Sequence, residues 1–155
     1  MSFTVEGRTV LITGAASGMG RLYAERAVRD RAAAVVLWDV DADALHATAD
    51  SLGGAGSSVH SYVVDLASLK EITTAAAAVR NDVGTPAVLI NNAGIVRGKY
   101  FWEHEQQADI ALVMQINTLA LMHLTREFLP DLSRRVIRHA SSMSRPPPAP
   151  FRYRG

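Results

Sequence analysis

Thr9-Val10-Leu11-Ile12 runs directly into Thr13-Gly14-Ala15-Ala16-Ser17-Gly18-Met19-Gly20, and this stretch decides the fold. An apolar, β-branched run followed by a glycine-rich bend and a helical pattern reads as a strand turning into a helix. In an open α/β sheet that junction holds a phosphate. The three glycines serve different ends. Gly14 permits a tight turn, Gly18 lets backbone N–H groups approach a pyrophosphate, and Gly20 lets the helix pack close on the strand. Glycines alone are weak evidence, because any strand-to-helix loop can use them. A carboxylate at the right distance makes them specific. Val35-Val36-Leu37-Trp38-Asp39 is a second apolar run, and it ends in Asp39, 19 residues beyond Gly20, where an acidic side chain meets an adenosine ribose.

Outward from there, strand and helix patterns alternate in the manner of βαβ units. A helix over about residues 19–31 carries Tyr23, Ala27 and Val28 on one face, with Glu25 placed four residues before Arg29. Asp41 or Asp43 caps the next helix, whose apolar side is Leu45, Ala49 and Leu52 and which Gly53-Gly54 stops. Residues 59–64 read as the third strand. Ser68-Leu69-Lys70-Glu71 is a capping box opening a helix with Ile72, Ala75, Ala76, Val79 and Val83 in a stripe, closed by Gly84 and Pro86. Residues 87–90 form a short, wholly apolar fourth strand, of the kind buried on both faces of a parallel sheet. The spacing then predicts a long helix over about residues 107–128, with Ile110, Met114, Asn117, Leu121, Leu124 and Phe128 on its buried stripe. The fold class expected is α/β: a Rossmann-like doubly wound parallel sheet in the order 3-2-1-4, incomplete at its C-terminal side.

At 155 residues, with 48% hydrophobic and 20% charged residues, the chain is ordinary globular material sufficient for one domain. The absence of cysteine excludes disulfides and thiolate metal sites, and His46, His60, His104, His123 and His139 show no ligand spacing, so no metal is expected. Residues 1–6 have neither a basic region nor an apolar core, and no apolar run approaches the roughly 18 residues that span a bilayer. A cytoplasmic protein without a membrane span is the expectation.

The charge is asymmetric. Residues 1–131 hold 10 Lys/Arg against 15 Asp/Glu, whereas residues 132–155 hold six Arg and no acid. The chain thus divides into a dinucleotide-binding domain over 1–131 and a basic, Pro/Arg-rich tail over 132–155. In that tail Val136-Ile137-Arg138-His139-Ala140 is at most a weak fifth strand, and Pro146-Pro147-Pro148-Ala149-Pro150 suits neither a helix nor a central strand. Six arginines support only salt-sensitive contact with an acidic partner, and without aromatic interleaving beyond Phe151 and Tyr153 no nucleic acid is expected.

The spacing Thr-Gly-x-x-x-Gly-x-Gly, with Asp65-Leu66 after the third strand, Asn91-Asn92-Ala93-Gly94 after the fourth and Asn117 in the long helix, resembles the short-chain dehydrogenase/reductase family over about residues 5–132. Residues 91–130 are more loosely similar to its retinol and hydroxysteroid dehydrogenase-like branch. The resemblance implies hydride transfer between a nicotinamide dinucleotide and a small-molecule secondary alcohol or ketone, lipophilic by the looser match. It implies a cofactor held by Gly14, Ser17, Gly18, Met19 and Gly20, by Asp65 and Leu66 near the adenine, and by Asn91, Ala93 and Gly94 along the sheet. Asp39 would repel a 2′-phosphate, and neither Ser17 nor Val40 offers a cation, so NAD is expected over NADP; Arg21 is the nearest residue that weakens the preference.

The resemblance also gives Asn117 a place in a proton relay through water to a catalytic lysine, which accounts for a polar residue on a buried stripe, where an unsatisfied amide costs about 1 to 3 kcal/mol. Within His139-Ala140-Ser141-Ser142-Met143-Ser144, Ser142 would orient the carbonyl, or Ser141 if the register slips. The family's tyrosine and lysine do not follow. Tyr153 lies 11 residues after Ser142, slightly short of the usual spacing, and its lysine would fall at position 157 of a 155-residue chain. Tyr-x-x-x-Lys is therefore absent, as are the last strands, the substrate loop and the helix through which the family forms homo-oligomers. A truncated form is expected, the change near Leu132 fitting either a lost reading frame or a diverged tail. The alternative is a non-catalytic dinucleotide-binding module, or a fragment with no function of its own.

Overall fold

The two apolar runs that frame the glycine turn pair with each other. The structure is a computed structural model that describes residues 4–54 and 56–141, with side chains as far as Arg134. β1 (Thr9–Thr13) lies parallel to β2 (Ala34–Asp39), with Val10 beside Val35 and Ile12 beside Leu37. β3 (Ser58–Val63) joins the outer side of β2 and β4 (Val88–Ile90) the outer side of β1, all parallel, in the order β3-β2-β1-β4. Helices α1 (Gly18–Arg29), α2 (Ala42–Leu52) and α3 (Leu69–Asp82) make the connections. The expected α/β class and strand order are those observed.

Alternation along the strands divides the core in two. Val10, Ile12, Val35 and Leu37 meet Ala24, Ala27 and Val28 of α1 and Leu45 and Leu52 of α2. On the opposite face, Leu11, Val36 and Trp38 meet Ile72, Ala75, Ala76 and Val79 of α3 together with Ala120, Leu124 and Phe128. β1 and β2 are buried on both faces because helices cover each of them, which is why Val10 to Ile12 and Ala34 to Trp38 are wholly apolar and their polar residues stand only at the strand ends. At the outer edge, the Tyr62 hydroxyl donates to Asp82 at 2.9 Å, tying β3 to the end of α3. Burial and the Asp82 charge push that phenol up to about 12.

Several local expectations are corrected. In α1 the inward position is Ala24, while Tyr23 is exposed, and Glu25 pairs with Arg21 at 3.1 Å rather than with Arg29. Both are four-residue spacings, so helical geometry permits either. Asp41, not Asp43, caps α2, accepting from the Ala44 N–H at 3.1 Å. The inward residues of α2 are Leu45, Thr48 and Leu52, with Ala49 packed only partly against them.

The long helix departs furthest from its predicted pattern. It comprises a π-helical turn Gln106–Ala111, α4 (Leu112–Met114), a second π-helical turn Gln115–Ala120 and α5 (Leu121–Ser141). A π-turn bonds residue i to i+5, so a stripe extrapolated at 3.6 residues per turn loses phase across it. Ile110, Met114 and Asn117 are accordingly exposed, Leu121 at the start of α5 is exposed as well, and the buried stripe is Ala120, Leu124 and Phe128. Residues 136–140, read as at most a weak fifth strand, continue α5 past the internal Pro130. The arginines at 134, 135 and 138 are good helix formers, and no breaker follows Pro130 within α5. The remaining tail, including Ser142 and Tyr153, lies outside the described residues. No uninterrupted apolar run reaches the roughly 18 residues that span a bilayer, yet Gln106–Arg134, 29 residues, is long and apolar enough on average to cross a membrane by length and composition alone. Counting uninterrupted runs missed it because an average tolerates scattered polar residues. In this fold the same stretch lays Leu124 and Phe128 against the sheet.

Between β4 and the long helix, a loop is fastened at Asp109, whose side chain is buried. Its carboxylate accepts from Lys99 Nζ at 2.8 Å and from the Glu105 N–H at 3.0 Å, with Arg97 Nε at 3.4 Å. The Lys99 hydrogen bond, then that from the Glu105 backbone, holds this carboxyl below the usual carboxylate range.

Two outcomes follow from this packing. Phe128 is fully buried, 6.4 Å from the Trp38 ring and under the Arg80 guanidinium at 5.5 Å. Phe128→Ala is expected to cost about 3 to 5 kcal/mol in urea unfolding; a loss below about 1 kcal/mol would contradict this packing, being less than such truncations cost. Because the folded pKa of Asp109 is depressed, its anchoring is fully present above the ordinary carboxylate value and is lost as pH falls through the lower folded value. In an NMR titration the Glu105 amide resonance should move with Asp109 only below about pH 4, and Asp109→Asn should abolish that step. A midpoint at or above the ordinary value would contradict it.

Candidate functional site

The β1–α1 turn is built by close approach. Gly14 has φ of +65°, and a Cβ there would stand 2.9 Å from Ala93 Cα. A Cβ on Gly20 would run into the Gly14 carbonyl oxygen and the Asn92 amide, so Gly20 keeps the helix close to the turn itself and not merely to the strand. Gly18 is in the left-handed region at +53° with open space around it, so its requirement is conformational. Asn92, at the end of β4, closes the arrangement. Its Nδ2 donates to the Thr13 carbonyl at 3.0 Å and the Gly14 carbonyl at 3.2 Å, while Thr13 Oγ1 accepts from the N–H groups of Asn92 and Ala93.

On the β2 side, the Ala15 N–H donates to the Trp38 carbonyl at 3.2 Å and the Ala16 N–H to Asp39 Oδ2 at 2.9 Å. Asp39 Oδ1 accepts from the Asp41 N–H at 3.1 Å, so both carboxylate oxygens are oriented and each retains acceptor capacity. Ser17 stands at the N-cap of α1 in extended backbone and makes no capping hydrogen bond, and the first turn of the helix holds no acidic residue. The positive end of the helix is therefore not neutralised locally. The chemistry of this donor set is that of an anion site beside a site for a diol.

These elements enclose a cleft of about 370 Å³ at the carboxyl ends of the strands, within the usual range for small-molecule sites. Gly14, Ser17, Met19, Asp39, Asp65, Leu66, Ala93 and Gly94 line it, so most of the residues expected to hold a dinucleotide come together. Gly18 and Gly20 are not part of that lining: Gly18 is exposed beside it, and Gly20 is buried against the turn. Asn91 turns the other way, its amide reaching Thr125 at 3.2 Å, because successive side chains of an extended segment point to opposite sides. Asp65 forms a local turn, its carboxylate accepting from the Ala67 N–H at 2.8 Å. Glu71 reaches back to the Asp65 N–H at 2.8 Å, so only the Ser68 half of the expected capping box forms. The lining contains no lysine or arginine.

Asn117, predicted on a buried stripe, is exposed, for the phase reason given above. Its amide is nonetheless satisfied, with Oδ1 accepting from the Ile95 N–H and Nδ2 donating to the Ile95 carbonyl, both at 2.8 Å. A side chain at Gly94 would crowd this clamp, since its Cβ would lie 3.3 Å from Asn117 Oδ1. Ser142 lies outside the described residues. Asn92, the second amide of the Asn-Asn-Ala-Gly segment, lines the cleft as well, and so do Val40, Val64, Ile95 and Ile116. Sequence reasoning did not mark these four as site residues, because they are ordinary apolar residues with no local signal.

Comparison with known proteins agrees with this geometry. Residues 8–144 match the family model for short chain dehydrogenase. Estradiol 17-beta-dehydrogenase 11 of Homo sapiens is 35% identical over 131 residues, covering 84% of this chain and 43% of that protein. Epidermal retinol dehydrogenase 2 of Mus musculus is 39% identical over 129 residues, covering 83% and 41%. Among solved structures, L-sorbose reductase from Gluconobacter frateurii, complexed with NADPH and L-sorbose, superposes with a TM-score of 0.80 at 28% identity, over 87% of this chain and 51% of that one. A short chain dehydrogenase/reductase from Burkholderia phymatum in complex with NAD gives 0.77 at 35% identity, over 83% and 45%. The chain spans less than half the length of the curated relatives it matches. With its glycine turn, its β3-β2-β1-β4 sheet and a family match over residues 8–144, the chain belongs to the short-chain dehydrogenase/reductase family.

Proposed function

We propose that this chain binds NAD(H) in the cleft and forms the dinucleotide-binding part of an oxidoreductase acting on a secondary alcohol or carbonyl, lipophilic in the manner of the estradiol and retinol substrates named for its relatives. The observation that carries the reading is Asp39. Its carboxylate is oriented by the Ala16 and Asp41 N–H groups at the edge of the cleft, where it can accept from both hydroxyls of an adenosine ribose. A 2′-phosphate would meet that negative charge with no cation in the lining, and Arg21 is engaged with Glu25. NAD is favoured over NADP on that ground. The pyrophosphate fits the N-terminus of α1, where Ser17 and Gly18 expose backbone and no acid opposes it.

A bound nicotinamide dinucleotide supplies the hydride donor or acceptor. The chain's own residues bind and orient it: Asp65 and Leu66 beside the adenine, Ala93 and Gly94 along the floor, and Asn117 holding the Ile95 backbone in place. Proton transfer in this family calls for a tyrosine with a lysine four residues later, and no tyrosine in the sequence is followed by one. Without it a phenol stays near a pKa of about 10, poorly matched to neutral pH.

NADH is expected to bind more tightly than NADPH by about tenfold or more, a difference of about 1.4 kcal/mol, measured by cofactor fluorescence. Asp39→Ala should narrow the gap. Equal affinities or an NADPH preference would overturn the role given to Asp39. The 155-residue chain, loaded with NAD, should not oxidise a panel of secondary, steroid-like and retinoid-like alcohols at rates typical of enzymes, about 1 per second or more. Turnover abolished by Tyr153→Phe would show that an active site forms after all.

A further inference from the structure

The glycine turn is gripped from one more side. Thr48, on the inward face of α2, is fully buried, and its Oγ1 donates to the Ala16 carbonyl at 3.0 Å. Ala16 is thereby held at both ends of its backbone, its N–H by Asp39 Oδ2 at 2.9 Å and its carbonyl by Thr48. In a trans peptide the carbonyl and the following N–H point in opposite directions. Fixing the Ala16 carbonyl toward α2 therefore turns the Ser17 N–H away from α2, and Ser17 lines the cleft. We propose that Thr48 is a positioning residue for the dinucleotide site: its hydroxyl sets the Ala16–Ser17 peptide plane so that the Ser17 N–H faces the pyrophosphate.

The proposal rests on the NAD(H) reading above. It adds a residue that never touches the ligand. A hydroxyl here has no packing purpose, since Val would fill the same buried space without needing a partner. The small turn residues explain why outside help is needed. Ala15 and Ala16 have no side chain able to hydrogen-bond, and Gly14 and Gly18 on either side are both in left-handed backbone, so the turn's amide directions must be fixed by neighbouring elements. β2 supplies Asp39 and the Trp38 carbonyl, β4 supplies Asn92, and α2 supplies Thr48.

The test uses the whole 155-residue chain, titrated with NADH by fluorescence, together with its ¹⁵N–¹H spectrum without ligand. Thr48→Val removes the hydroxyl at constant shape and should weaken NADH binding about tenfold, the effect of one net hydrogen bond. Thr48→Ser keeps the hydroxyl, loses the methyl and should bind as the wild type does, even if it melts lower. Should the Val variant not fold, Thr48→Ala against Thr48→Ser isolates the same hydroxyl. Val binding like wild type, or Val and Ser weakened equally, would overturn the proposal. If the wild type itself fails to bind NADH, the dinucleotide reading falls separately, and the orientation claim is judged by the amides. Displacement of the Ser17 resonance in the Val or Ala variant but not in Ser supports it, and an unmoved Ser17 resonance refutes it.

Discussion

Asn92 joins two parts of the chain that are 79 residues apart, its side-chain amide bridging the carbonyls of Thr13 and Gly14 while its own N–H is received by Thr13 Oγ1. The rest of the site depends on this bridge. It brings the first turn within van der Waals reach of Ala93, so close that position 14 has no room for a side chain. Were β4 displaced from β1, the carbonyls left by the end of β1 would lose their donors. Buried or half-buried carbonyls without partners are costly, so the turn and the fourth strand are expected to form together.

The cleft opens where the order of the sheet reverses. From β1 the chain passes outward to β2 and β3, then returns to place β4 on the other side of β1. The loops after β1 and β4 therefore diverge, leaving a crevice between them at the carboxyl ends of the strands. Gly14 and Ser17 form one wall, Asn92 to Ile95 the other, and Asp39 at the end of β2 marks the far side. The second wall is in turn fixed from the long helix, through Asn117 on the Ile95 backbone and through Asp109 on Lys99. The polar residues on that helix are thus used to shape a loop.

The strands and the glycine turn were legible because their requirements are local. Continuous apolar runs report burial on both faces, and glycines report backbone conformation or close approach. Asp39 was legible for the same reason, as a strand-end carboxylate at a distance fixed by one βαβ unit. The long helix was legible in existence but not in phase. Its two π-turns shift the inward face, so Leu124 and Phe128 were placed correctly while Ile110, Met114 and Asn117 were not. Nothing in local composition announces a π-turn. Thr48 shows the complementary failure: it stands three residues after Leu45 and four before Leu52, squarely on the buried stripe, but an apolar pattern does not register a hydroxyl residue.

The central claim is that the β1–α1 turn and Asp39 form one dinucleotide site. A crystal structure of the chain grown with NAD tests it most directly. The adenosine ribose hydroxyls should lie within hydrogen-bond distance of the Asp39 carboxylate, with the pyrophosphate at the Ser17–Gly18 backbone. A dinucleotide bound elsewhere, or one whose ribose is turned away from Asp39, would contradict the account.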